Sequence, residues 1–185
     1  YNRALALKQT GQKKAALAAF KTVAASKLDN PYRETALGEV AAGALESGNK
    51  EEALESFNGV IAIAKDDGVL GDALIKAGLL LNELGKSETA LKSFKRAIDL
   101  KGLPKETRAI AVFGLVQGYY GKADYKGVID TYVANATSMP GDELRPKLLL
   151  MVGNAHKQKQ SYRQAIEVYL MIEKQSPDAP EAIEA

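Results

Sequence analysis

Apolar residues recur along this chain at intervals of three and four, the period of a helix with one buried face. Gly, Pro, Asn and Asp interrupt the pattern at regular distances. The spacing predicts ten helices, near 1–10, 12–27, 31–47, 50–65, 69–84, 87–101, 104–121, 124–138, 142–158 and 161–176, and the start of an eleventh. No two-residue alternation or hairpin signal appears, so no sheet is expected. Asn30-Pro31, Leu103-Pro104 and Ala179-Pro180 each place proline at a first helical turn, where its missing N–H costs nothing. Pro146 also falls in a first turn if Gly141-Asp142 starts the ninth helix. Gly48, Gly85 and Gly121 follow the first helix of a pair, as left-handed residues that end it.

The helices repeat in pairs. Gly11, Ala16 and Phe20 recur as Gly48, Ala53 and Phe57, as Gly85, Ala90 and Phe94, and as Gln160, Ala165 and Tyr169. A degenerate copy reads Ala123, Val128 and Tyr132. The step is 37 from Ala16 to Ala53, 37 from Ala53 to Ala90, 38 from Ala90 to Val128 and 37 from Val128 to Ala165. A near-constant step of this size signals stacked repeats, each of which must bury its apolar face against its neighbours. The expected fold is all-α, an α-solenoid of about five antiparallel helix pairs. One array spans 1–185, in units near 1–33, 34–70, 71–108, 109–145 and 146–182, and is expected to be a fragment of a longer protein. The fourth unit is irregular, because Gly121 would align two residues earlier than Val128 and Tyr132 require. Either its first helix or its turn is longer. The helix alignment is preferred, since a turn absorbs insertions cheaply.

The stretch Asp72–Leu100 resembles a tetratricopeptide repeat. Leu74, Ala77, Gly78 and Leu81 match that family's first helix, and Ala90, Phe94 and Ala97 its second. The last copy matches through Leu149, Val152, Gly153, Tyr162, Ala165, Tyr169, Ile172 and Pro177. The resemblance implies a right-handed superhelix that binds proteins or peptides. Departures are units about three residues longer than the usual thirty-four, a closing proline only at Pro177, and Ala41 where glycine is usual. Longer, irregular units resemble those of bacterial cell-envelope proteins, such as outer-membrane assembly lipoproteins and TolA-binding proteins. That implies a periplasmic or cell-envelope location, with the cytoplasm as the alternative. The family's co-chaperones grip a C-terminal carboxylate with Lys, Asn and Arg on successive first helices. The matching places here hold Gly38, Glu39, Ala42, Asp72, Ile75, Lys76 and Leu79, of which only Lys76 fits, so no such clamp is expected.

Charge narrows the partner class. Lys and Arg number 25 against 23 Asp and Glu, for a net +2 without any one-signed block. Nothing here recruits nucleic acid or an anionic membrane electrostatically. The absence of cysteine removes disulfides, thiolate zinc sites and cysteine nucleophiles. No apolar run approaches the length of a membrane span, and no signal peptide is expected in the opening residues. With aromatics at 6% and no Trp, the core must come from Leu, Ala, Val and Ile.

Candidate chemistry is sparse. Gly85-Lys86-Ser87 looks like the end of a phosphate-binding loop, but Leu80 stands where that loop needs glycine, and no strand precedes it. His156, the single histidine, falls on the stripe Leu149, Val152, Gly153 and reads as a core residue with one hydrogen-bond partner. Asp66, Asp67 and Asp72 lack calcium-loop spacing and read as helix caps, with Asp67 or Asp72 near the helix start. Gly114 and Gly118 read as close packing within the fourth unit. No catalytic residue, metal or cofactor is expected.

A second face of the first helices carries Leu45, Ile75, Leu79, Phe113, Tyr120, Leu150 and Met151, with Tyr119 turned to the core and Tyr120 away from it. Glu39, Lys76, Asn82, Glu83, Gln117, Asn154 and Lys157 lie among them. This mixed concave groove is the expected site for a peptide or protein partner, unless its apolar residues pack against adjacent helices. The expected function is a non-catalytic interaction scaffold. The alternative is a targeting or regulatory array attached to a catalytic domain outside this segment. Self-association as a homodimer through exposed array ends is a third reading.

Overall fold

The computed structural model describes residues 1–26, 30–138, 140–141 and 143–185. The helices are α1 (Asn2–Gln9), α2 (Lys13–Ala24), α3 (Arg33–Glu46), α4 (Lys50–Ile63), α5 (Asp67–Glu83) and α6 (Ser87–Ile98). They continue with α7 (Lys105–Gly121), α8 (Tyr125–Ala134), α9 (Arg145–Gln158), α10 (Tyr162–Gln175) and a short α11 (Pro180–Glu184). No strand occurs among the described residues. The expected end of the second helix, at 27, lies outside the described residues, as does Asp142. The ninth helix starts at Arg145, later than expected, and keeps Pro146 in its first turn. The eighth ends at Ala134, where the Asn135 side-chain amide donates to the Thr131 carbonyl at 2.9 Å. The fifth begins earlier than expected because Asp66 caps it, its Oδ1 accepting from Val69 N at 3.0 Å.

Every pair turns on one left-handed residue. Gly11, Gly48 and Gly85 have φ of 76°, 76° and 72°, and Ala123 and Gln160 adopt 56° and 59° at the same place. Gly121, expected in this role, instead closes the last turn of α7. Asp67 to Lys105, Gly85 to Ala123 and Ala90 to Val128 all step by 38. The extra residue of the fourth unit therefore lies ahead of α7, and neither its first helix nor its turn is longer. A side chain at positive φ crowds its own carbonyl, a penalty glycine escapes. Denaturant unfolding should show Gly85→Ala losing about 1 kcal/mol and Gln160→Gly gaining up to about 1 kcal/mol.

The pairs stack through aromatic wedges. Phe94 of α6 is fully buried between Gly78 of its own α5 and Gly114 of the following α7. A methyl at Gly78 would meet the ring at 2.8 Å, and one at Gly114 at 2.7 Å. Gly118 lies over Leu91 in the same way, at 2.7 Å. Gly114 and Gly118 thus join α7 to the third unit's second helix, rather than packing within their own unit. Tyr169 repeats the wedge against Gly153.

Consecutive first helices α5, α7 and α9 approach one another, whereas consecutive second helices do not. That asymmetry curves this part of the array with the first helices inside. The backbone of α3 approaches neither α1 nor α5. Ion pairs mark the register on the surface: Lys13–Glu46 at 3.1 Å and Lys50–Glu83 at 2.9 Å occupy equivalent places in successive units. Lys122–Glu88 repeats the junction with the signs exchanged. Exposed pairs of this kind contribute about 1 kcal/mol or less each, so packing decides the stack.

Candidate functional site

The first helices present the expected partner residues unevenly. Leu45 and Leu79 are 44% and 42% exposed. Phe113, Tyr120, Leu150 and Met151 are half-buried against the core of the last two units, and Tyr120 meets Tyr125 edge-on at 6.1 Å. Ile75 is only 4% exposed, a core residue rather than an open anchor, because α7 closes against α5 there. Several polar residues of this face already have partners. Glu39 pairs with Lys8 at 2.6 Å, Lys76 with Asp72 at 2.7 Å, and Glu83 with Lys50. The Tyr169 hydroxyl donates to Asn154 Oδ1 at 2.8 Å.

A gap opens where α3 stands away from α5. Its cavity of about 220 Å³ is walled by Gly38, Ala42 and Leu45 of α3 and by Val69, Ala73 and Lys76 of α5. Phe57 and Val60 of α4 lie at its buried side, and Glu34 and Asp72 add carboxylates to the lining. Two residues set this junction apart from the one that follows. Gly38 occupies the place of Ile75, Phe113 and Leu150 in later units, and a Cβ there would meet nothing within 4 Å. Lys76 occupies the place of Gly114, so the aromatic wedge faces a long side chain instead of bare backbone. Lys76 Nζ sits 5.9 Å from the Phe57 ring centroid. The sequence reading missed this site, although the Gly38 column of the aligned repeats carried the signal. A second opening, about 520 Å³, lies on the other side of α3, among Leu17, Phe20 and Gly43. The Lys8–Glu39 and Lys13–Glu46 pairs line it.

The remaining motifs serve the architecture. Gly85-Lys86-Ser87 is the turn that starts α6. The cap of α5 is Asp66 rather than Asp67 or Asp72, while Asp67 Oδ2 accepts from Gly102 N at 2.7 Å and ties the start of α5 to the end of its unit. Among the described residues no three His, Cys, Asp or Glu side chains gather to hold a metal, and no helix is long and apolar enough to cross a membrane.

His156 is half-buried, and the partner expected for it is missing. Its Nδ1 is buried without a hydrogen bond among the described residues. Burial lowers its pKa from 6.5, against the opposing pull of the Glu167 carboxylate. A histidine with a lowered folded pKa sheds its proton on folding, so its neutral form costs nothing above the unfolded value. Stability should fall as pH drops through 6.5. His156→Gln should flatten unfolding curves measured between about pH 7 and pH 5.

Comparison with known proteins fits this geometry. The family model described as tetratricopeptide repeat matches residues 71–102. No curated protein matches the chain. Among solved structures, YrrB, described as a tetratricopeptide-repeat protein with an unusual peptide-binding site, is 20% identical with a TM-score of 0.71. The match covers 99% of this chain and 88% of that one. MamA is 17% identical with a TM-score of 0.68, over 98% of this chain and 92% of that one. PilF of Pseudomonas aeruginosa is 16% identical with a TM-score of 0.64, over 98% and 77%. The chain thus contains a tetratricopeptide repeat and folds along its length as a tetratricopeptide-type solenoid.

Proposed function

We propose that this array is a non-catalytic scaffold that binds a peptide or protein partner on the face formed by its first helices. One observation carries the reading: Leu45 and Leu79 stay exposed on that face although the core is complete without them. Exposed leucines beside a cavity bury apolar area when a partner covers them, and that area drives association. Half-buried Phe113, Tyr120, Leu150 and Met151 extend the surface toward the last unit. YrrB, a tetratricopeptide-repeat protein of the same fold with an unusual peptide-binding site, supports a peptide partner. A catalytic domain joined to the array is the alternative, in which this face serves targeting. The test is photo-crosslinking in cells that make the full-length protein, with a photoreactive phenylalanine at Leu79 or at Lys92 of α6. Capture of a protein partner is expected from Leu79 and not from Lys92. Capture from Lys92 alone would move the partner site to the outer face.

Self-association through an array end is the second reading, favoured by an open stripe on α10. Tyr162, Ile166 and Leu170 lie one turn apart and are exposed. Ile166 stands where Leu17 and Leu91 of earlier units are covered by Gly43 and Gly118 of the next first helix. Light scattering across a concentration series should show dimers that Ile166→Glu abolishes. A monomer at all concentrations would remove the reading.

A further inference from the structure

We propose that the gap between α3 and α5 is a specificity notch that takes one Leu- or Phe-sized side chain of a partner peptide, flanked by a basic residue. The proposal rests on the partner-binding reading of the first-helix face. The chain itself shows what belongs in the notch. Where α5, α7 and α9 come together, the places equivalent to Gly38 carry Ile75, Phe113 and Leu150, buried or half-buried against the core, while a Cβ at Gly38 itself would meet nothing within 4 Å. A cavity of about 220 Å³, backed by Phe57 and Val60, is apolar enough to receive a side chain of the kind it lacks.

Lys76 lines the gap from the other wall. Its ammonium is held by Asp72 and lies above the Phe57 ring, so a charged but solvated side chain stands where the next junction has Gly114. This pairing also settles the charge of the ligand. Asp72 is neutralised by Lys76, whereas Glu34 has no ion pair among the described residues. The one unbalanced charge in the lining is therefore negative, and it selects Lys or Arg next to the apolar anchor.

Three blocked pentapeptides test the assignment: Ala-Lys-Phe-Lys-Ala, its Ala-Glu-Phe-Glu-Ala counterpart, and Ala-Lys-Ser-Lys-Ala. Each is titrated into the labelled protein and followed by backbone amide NMR shifts. The lysine–phenylalanine peptide should shift Gly38, Ala42 and Ala73 saturably. The serine peptide should bind about tenfold more weakly, and the glutamate peptide about two- to fivefold more weakly. Gly38→Leu should abolish the shifts and keep or raise the melting temperature, since the added side chain enters open space on a helix. Glu34→Gln should remove the preference between the charged peptides. Shifts that survive Gly38→Leu, or that centre on Leu79 and Tyr120, would overturn the notch and leave the face itself as the partner site. Absence of any shift would also overturn the notch, and the crosslinking result would then decide the face separately. Equal binding of the two charged peptides would overturn the basic flank.

Discussion

The aromatic side chain on each second helix is the contact on which this array depends. Phe94 does two jobs at once, closing its own helix pair against Gly78 and seating the next pair through Gly114. Close approach of backbones needs small residues, and the ring supplies the buried area that holds three helices together. The stack is therefore tightest where glycine faces the wedge on both sides. Because first helices close together there and second helices do not, the same contact also sets the direction of curvature.

The junction between the second and third units departs from this rule, and the departure creates the candidate site. Phe57 is still a wedge, but it meets Lys76 where Phe94 meets Gly114. The missing side chain at Gly38 removes the filler that the other units provide. A repeat array can leave such a gap because each junction is nearly independent of the others. Stability lost at one interface is supplied by those on either side, and the open junction becomes available to another polypeptide.

Electrostatics plays a smaller part in this molecule. Its Lys–Glu pairs recur at equivalent junctions but are solvent-exposed, so they mark register more than they stabilise it. Their effect on the site is subtractive. Within the notch lining the Lys76–Asp72 pair cancels its own charges and leaves Glu34 unbalanced among the described residues.

Periodicity alone was enough to fix the solenoid, its ten principal helices and the pairing between them, because local spacing determines which face each helix must bury. The alignment of Val128 and Tyr132 put Ala123 in the column of Gly11, Gly48 and Gly85, yet the left-handed role was expected of Gly121, and only the structure gives it to Ala123. Sequence also placed Leu45 and Leu79 on an open face, since both lie off the buried stripe. It could not show that Ile75 would be buried, as that depends on how closely α7 approaches α5. Nor could it assign Gly114 to the wedge of the preceding unit, or show that His156 Nδ1 finds no hydrogen-bond partner among the described residues. Those outcomes rest on distances between units, which are set by the side chains facing each other across a junction. Only the tertiary structure brings Gly38, Phe57 and Lys76 together, and with them the gap.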